Sequence, residues 1–450
     1  MIGRSLALIG PASLASCGTG PTTFLYVFPE CTRPSVRRAA PADLPLGRAR
    51  SIRACTSCYA PAYVMAARGL PGSQRAPELV HIAIDVRLGA GSGVGTVIRN
   101  VVPLLARAGH RLTLIGRGED YGDLAAQSGV ELIEFGPTSY SLMQHARYPR
   151  HLERTVDVLH VPHYVTPFGW RGPLVATIND LTHLAPSMPT SRAQRAYVRF
   201  FVRRTLRVAD VTLTLSQTSR REIIKQFGPA AEFVRAVHCG VDRAHYLPSD
   251  PVVARAHADA VVGAGVPYIQ FLSSVRPHKN LDGLLLAFAH LKSTVQLPHR
   301  LLVVGEREGF IVRSQALHIE ERVMRDVVFG GYVDEAILPH LYSACSVFAF
   351  PSFSEGFGLP PLEAMSCGAP VVSSNASSLP EVLGDAALYV NPADPTDIAA
   401  GVGRVLSSPE LAADLSARGI AHSTEFPWSH TAAAYATAYE DAIRLHRRTA

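Results

Sequence analysis

The feature that most limits the fold of this chain is a series of short, nearly all-apolar runs alternating with helical segments. The series passes once through the first half and then starts again. It opens at His81-Ile82-Ala83-Ile84-Asp85-Val86 and continues through Leu112–Ile115, Leu132–Phe135, Val158–Val161, Leu174–Ile178 and Val211–Leu215, with an apolar helix from Val97 to Arg107. After His238-Cys239-Gly240-Val241-Asp242 it restarts at Ile269–Leu272, Leu301–Val304, Val327–Phe329, Val347–Phe350 and Val371–Ser373. Strands that are apolar throughout, rather than at alternate positions, suit a parallel sheet covered by helices on both faces. The expected fold class is therefore α/β, with two doubly wound domains at 78–255 and 256–427 and a final segment at 428–450. In such sheets ligands sit outside the carboxyl ends of the strands, and two domains facing each other enclose a cleft suited to a ligand. A length of 450 residues agrees, being too great for one ordinary core.

Residues 1–77 read differently. They are rich in Pro, Gly, Ser, Ala and Arg, show no sustained period, and are expected to be disordered or non-native. They hold nine arginines against Glu30 and Asp43, so they carry the whole of the formal charge of +6 and leave the rest close to neutral. A nucleic-acid partner, suggested by the overall charge, is thereby not expected. Leu14-Ala15-Ser16-Cys17 after Arg4 resembles a lipoprotein signal, but Pro11 interrupts its apolar stretch. Cys55-Thr56-Ser57-Cys58 has a zinc-like spacing without a second pair or a nearby His. The favoured reading is a start set too far upstream, with Met65 as initiator. Cys239, Cys345 and Cys367 are scattered, as in a reduced cytoplasmic enzyme. No apolar run is long enough to cross a membrane.

The most informative stretch is Ser354-Glu355-Gly356-Phe357-Gly358-Leu359-Pro360-Pro361-Leu362-Glu363-Ala364-Met365, directly after the run Val347–Phe350. Pro360 and Pro361 suit the first turn of a helix, where a missing N–H costs little. Gly356 and Gly358 allow close approach of the backbone to a ligand. The free N–H groups at such a helix start would hold a diphosphate. Glu355 is expected in the loop and Glu363 in the first turn; like charge bars both from phosphate, so each suits a hydroxyl.

This segment resembles the Glu-x7-Glu signature of the retaining glycosyltransferases of family 4, also called glycosyl transferases group 1. Gly331-Tyr332-Val333, Leu341-Tyr342, Ala344, Phe350-Pro351-Ser352, Cys367-Gly368, Pro370-Val371-Val372, Ser378-Leu379-Pro380-Glu381-Val382 and Gly384-Asp385-Ala386-Ala387 follow in the family's order, and the likeness covers about 80–445. It implies a GT-B fold of two Rossmann-like domains facing across a cleft, with the last helix, Thr431–Arg447, crossing back to the first domain. It also implies that Glu355 contacts the donor sugar and Glu363 the ribose, with Gly331, Tyr332, Gly356, Phe357, Gly358 and Leu359 around the donor.

Ser273-Ser274-Val275-Arg276-Pro277-His278-Lys279-Asn280 resembles the family's Pro-Arg-Lys-Asn element, whose Lys contacts the diphosphate. Lys279 would neutralise charge growing on the leaving phosphate. The Arg that many relatives carry falls near Ser273 here and is missing, with Arg276 as its candidate substitute; Ser274 is a further donor-side residue. Gly91-Ser92-Gly93-Val94-Gly95-Thr96 resembles the first domain's donor loop, with Gly93 and Val94 as backbone contacts; its glycine spacing does not fit a nicotinamide fingerprint, so a dinucleotide-dependent oxidoreductase is not favoured. Asn179-Asp180 stands where relatives carry His-Asp. Asn179 can donate and accept hydrogen bonds but cannot take a proton, and His163 and His183 are acceptor-side candidates to fill that gap.

The chain has no Asp-x-Asp, which fits a reaction without metal or other cofactor. Arg192, Arg195, Arg199, Arg203 and Arg207 fall on one side of an expected helix. This is either a solvated face over a packed core, the commoner case, or a basic surface for peripheral contact with anionic lipid. The expected function is transfer of a hexose, mannose or glucose, from a nucleotide-sugar to a glycan or lipid-linked acceptor, in the cytoplasm or on the inner face of the membrane. The alternative is a catalytically quiet scaffold that binds nucleotide or glycan without transfer.

Overall fold

The computed structural model describes residues 79–449 apart from 89–90, 137–144, 146 and 186–187. The leader, with its Cys17 signal reading, the Cys55–Cys58 spacing and the Met65 start, lies outside the described residues. Seven strands form the first sheet: β1 (His81–Asp85), β2 (Arg111–Gly116), β3 (Val130–Glu134), β4 (Val158–Val161), β5 (Leu174–Thr177), β6 (Val211–Thr214) and β7 (Arg235–Ala236). Six form the second: β8 (Tyr268–Leu272), β9 (Arg300–Val304), β10 (Val327–Gly331), β11 (Val347–Phe350), β12 (Val371–Ser374) and β13 (Leu388–Val390).

Both sheets are wholly parallel, in the orders β3-β2-β1-β4-β5-β6-β7 and β10-β9-β8-β11-β12-β13. Every residue of β4, β5, β6, β11 and β12 is buried, which is why these strands read as largely apolar runs, with only His, Thr and Ser as polar residues. The strand order reverses between β1 and β4 and again between β8 and β11. Those two reversals open the crevices in which ligands of such sheets bind.

Two chain crossings join the halves, and they touch. A Cβ placed on Gly240 would lie 2.5 Å from the Trp428 backbone nitrogen, so only glycine fits there, and the Val241 N–H donates to the Phe426 carbonyl at 2.8 Å. Beyond this point the helix Trp428–Thr449 packs on the first sheet's β4, β5 and β6 and on the helix Gly93–Arg107. His160 on β4 fixes it, with Nδ1 2.9 Å from the Tyr439 hydroxyl and Nε2 2.9 Å from Thr177 Oγ1. Burial drives the pKa of His160 down to about 3, so it works as a neutral tether.

Two expectations differ from the structure, and two strands were not foreseen. The 255/256 boundary falls inside the helix Pro251–Val262, which starts at an Asp250 cap and packs along Leu338–Ala344. The short strands β7 and β13 were not expected; Arg235 interrupts the apolar residues of the first, and the second is only the last three residues of the apolar run Ala386–Val390. Glu363 is in the second turn of its helix rather than the first, because Pro360 and Pro361 fall at the helix start, Leu359, one turn earlier. Among the described residues no helix is long and apolar enough to cross a membrane.

Candidate active site

The second sheet's reversal is lined by the two segments that follow β8 and β11. After β8 a short 3-10 turn, Pro277–Lys279, ends at Asn280, which takes the left-handed conformation at φ 61°. Asn280 is buried, and its side chain does three jobs. Its oxygen caps the helix Leu281–Thr294 through the Gly283 N–H at 3.1 Å, and its nitrogen donates to the carbonyls of Pro351 at 2.9 Å and Pro392 at 2.7 Å. One amide thereby fastens the turn that carries Lys279 to the segment that carries Glu355.

The result is a direct pair. Lys279 Nζ lies 2.8 Å from Oε1 and 2.7 Å from Oε2 of Glu355, and 5.7 Å from the centroid of the Phe350 ring. Glu355 is itself held through its backbone, which donates to Ser377 Oγ at 3.1 Å and accepts from that hydroxyl at 2.7 Å. Gly356, Phe357 and Gly358 follow in a buried loop. Gly358 caps the helix Leu359–Ser366 at φ 109°, a conformation that favours glycine, and Leu359 is half-buried as its first residue.

Glu363 lies further down this helix and is buried, with the Tyr342 hydroxyl 3.4 Å from Oε2. Burial is the main cause that lifts its pKa to about 8; the charge of Glu335 adds to the rise and the Tyr342 hydroxyl opposes it. A solvated pair of acids is therefore not what the fold provides, since Glu355 and Glu363 are each only 8% exposed.

The remaining expected residues occupy the same strand ends at different depths. Ser274 and Arg276 are exposed at the mouth of the turn after β8. Gly331, at φ 71°, ends β10 and accepts from the Gly305 N–H at 2.9 Å, two strands out from β8; Tyr332 beside it is 83% exposed. On the first sheet, Ser92 caps the helix Gly93–Arg107 through the Gly95 N–H at 3.2 Å. A Cβ on Gly93 would meet nothing within 4 Å, while Val94 is half-buried against the core.

The two walls also touch directly beside the loop after β11. A Cβ on Gly356 would come 2.7 Å from the Asn179 carbonyl oxygen, and Ser354 Oγ is 3.1 Å from Thr182 Oγ1. Asn179 uses its side chain to donate to the Pro162 carbonyl at 3.2 Å. His163 is buried, and its Nδ1 accepts from the Val165 N–H at 3.1 Å. Burial, helped by the charges of His183 and Arg87, pushes its pKa down to about 3, so it stays neutral. His183 is half-buried in the turn Thr182–Leu184.

One cluster carried no signal in the sequence. At the end of β1, Arg87 donates to Asp85 through Nε at 2.8 Å, and the Tyr148 hydroxyl donates to the same carboxylate at 3.2 Å. The guanidinium lies against the rings of both Phe135 and Tyr148, 4.8 and 5.5 Å from their centroids. A local Asp-x-Arg says nothing about a tyrosine 63 residues away.

Known proteins resemble this chain in sequence and in fold. Residues 255–422 match the family described as glycosyl transferases group 1, and residues 91–245 match glycosyltransferase family 4. The O-antigen chain mannosyltransferase B of Escherichia coli is 33% identical over 289 residues, which is 63% of this chain and 74% of that protein. A sucrose-phosphate synthase from Thermosynechococcus elongatus has the same fold at a TM-score of 0.69 and 21% identity, over 80% of this chain and 98% of its own. The HepE protein of Anabaena, solved with UDP and glucose, matches at a TM-score of 0.65 and 21% identity, over 80% of this chain and 98% of its own. These likenesses identify the paired parallel sheets as a GT-B fold.

Proposed function

This chain belongs to the glycosyl transferases of group 1, and on that premise we propose that it is a retaining enzyme moving a hexose, mannose or glucose, from a nucleotide-sugar to a glycan or lipid-linked acceptor without a metal. One observation carries the reading: the contact between Lys279 and Glu355, made by the segments on either side of the strand reversal. The first residue suits a diphosphate and the second a sugar hydroxyl, so the bond to be broken would lie between them. Gly356, Phe357, Gly358 and the start of the helix at Leu359 offer backbone N–H groups to the phosphates. Glu363 would take the ribose, with Gly331 and Tyr332 toward the base and Gly93 and Val94 closing from the other wall.

Lys279 would favour the transition state over the bound donor, because negative charge on the leaving phosphate grows as the glycosidic bond breaks. In a front-face displacement the leaving phosphate oxygen takes the acceptor proton, so an Asn at 179 is compatible with turnover. The mannosyl name of the Escherichia coli relative favours mannose, while the UDP and glucose bound by the Anabaena protein keep UDP-glucose in the test set.

A lipid-linked acceptor would bring the enzyme to the inner face of the membrane. The surface best suited to this is the helix Arg192–Val208, which has no acidic residue. Arg192, Arg199, Arg203 and Arg207 are exposed along it, beside Phe200 at 56% and Tyr197 at 36% exposure.

A thermal-shift panel of GDP-, UDP- and ADP-sugars identifies the donor, since a ligand of the native state raises its melting temperature. Transfer is then followed with EDTA present, and the product's anomeric configuration is read by NMR. An inverted product, or a protein that neither binds nor cleaves any of these donors, would overturn the proposal.

A further inference from the structure

The short segment Ser377–Leu383 contributes none of the groups assigned above, yet it holds both walls. One end grips the donor loop. Ser377 Oγ bonds both the N–H and the carbonyl of Glu355, and Ser378 Oγ lies 2.9 Å from the carbonyls of Glu355 and of Phe357. Ser377 sits at φ 58°, a region uncommon for a residue other than glycine, and those bonds hold it there. The Leu379 side chain occupies the space a Cβ on Gly358 would need, 2.7 Å away.

The other end crosses to the first wall. Glu381 accepts from the backbone N–H of Gln217 at 2.6 Å and of Thr218 at 2.7 Å, and from the Thr218 hydroxyl at 2.8 Å. His238 Nε2 lies 2.8 Å from the same carboxylate. Gln217 and Thr218 open the helix Gln217–Phe227, whose own cap, Ser216, is already occupied by the Ser219 N–H. The carboxylate therefore satisfies N–H groups that the cap leaves over, at the positive end of that helix. Burial opposes its ionisation, but the bonds from His238, Gln217 and Thr218 hold its pKa down to about 2.

The anchored helix start then touches the donor loop itself: Ser219 Oγ is 3.4 Å from the Gly356 carbonyl, beside the point where Asn179 meets Gly356. We infer that Glu381 is a positioning residue, linking the seat of Glu355 on one wall to the first turn of the helix Gln217–Phe227 on the other. The inference rests on the assignment of the Glu355–Leu359 loop to the donor. Its consequence is that the loop is fully placed only while the two walls keep this contact.

The test uses the full chain with Glu381→Gln, whose amide has one accepting oxygen and presents its NH2 to the remaining donors. Hydrogen exchange, measured without substrate, reports on peptides covering 217–222 and 353–358. Steady-state kinetics use whichever nucleotide-sugar the wild-type protein turns over. Both peptides are expected to exchange faster, kcat to fall on the order of 10- to 100-fold, and donor KM to stay within about 3-fold. Faster exchange confined to 217–222, with kcat unchanged, would reduce Glu381 to a local helix cap and overturn the inference. If the wild-type protein transfers no sugar, the enzyme reading fails, and exchange at 353–358 still decides the inference. Should Glu381→Gln not fold, His238→Leu removes one bond and leaves the backbone caps; the same two peptides are expected to respond more weakly, and no response in 353–358 overturns the inference.

Discussion

The ammonium of Lys279 faces both oxygens of Glu355 at 2.8 and 2.7 Å, so two residues suited to opposite sides of a ligand are each other's partner. They are 76 residues apart and meet because the strands before them, β8 and β11, are neighbours in the sheet. On the proposed reading a donor would meet no loose side chains there, but a pair already fixed through the bonds of Asn280 and Ser377.

Lys279→Ala is expected to lower kcat on the order of 10²- to 10³-fold, the usual loss when one preorganised charge partner of a transition state is removed. It also strands a largely buried carboxylate, at a cost of about 1–3 kcal/mol. Single-turnover rates and a thermal melt separate the two effects. Full turnover in the variant would remove Lys279 from phosphate stabilisation.

Glu363 gives a pH signature of defined sign. Its folded pKa of about 8 stands above the ordinary 4.5, so between these values the folded chain keeps a proton that the unfolded chain releases. Wild-type stability should therefore fall as pH rises from about 4.5 to about 8 relative to Glu363→Gln, which lacks the titrating group. Paired melts at pH 5.5, 7 and 8.5 check this. If the carboxylate takes a ribose hydroxyl, wild-type donor KM should fall as pH rises through the same range and stay flat in the Gln variant.

Gly356→Ala puts a methyl group 2.7 Å from the Asn179 carbonyl oxygen and 3.4 Å from Asp180 Cβ. A backbone oxygen cannot swing aside as a side chain can, so the walls must part or the donor loop must move. A loss of about 1–3 kcal/mol in stability is expected, with kcat falling more than donor affinity. Urea melts and isothermal titration with the nucleoside diphosphate measure the two. An unperturbed variant would mean that the contact at Gly356 yields readily.

Arg199→Glu with Arg203→Glu should abolish binding to vesicles of mixed phosphatidylglycerol and phosphatidylcholine, while transfer to a soluble acceptor is retained. Binding of the wild-type protein should weaken with added salt, as the Debye length falls from about 10 Å at 0.1 M to 3 Å at 1 M. Wild-type protein that ignores such vesicles at low salt would leave this helix as a solvated face.

The central strands were legible because burial on both faces writes a largely apolar run; Val158–Val161 and Val347–Phe350 were found with their ends in place. β7 and β13 were not, since strands of two and three residues at a sheet edge take their hydrogen bonds from a neighbour and little from their own side chains. The acids of the donor loop were visible through their spacing and their family likeness. Their burial was not, because that of Glu363 depends on Tyr342 and the packing of Leu359–Ser366, and Glu355 is met by Lys279 from the neighbouring strand end. Glu381 could be read only as part of a motif, as its partners Gln217, Thr218 and His238 lie more than 140 residues upstream.

The helix Trp428–Thr449 follows the whole second sheet in the chain, yet it covers β4, β5 and β6, which precede that sheet. Order of synthesis and order of completion are therefore opposed. Until Tyr435 and Tyr439 arrive over His160, the earlier sheet keeps an uncovered apolar face, in need of shelter from other chains. A gene cut between the two halves would not yield two self-sufficient pieces, because the first fragment would lack a wall carried by the second.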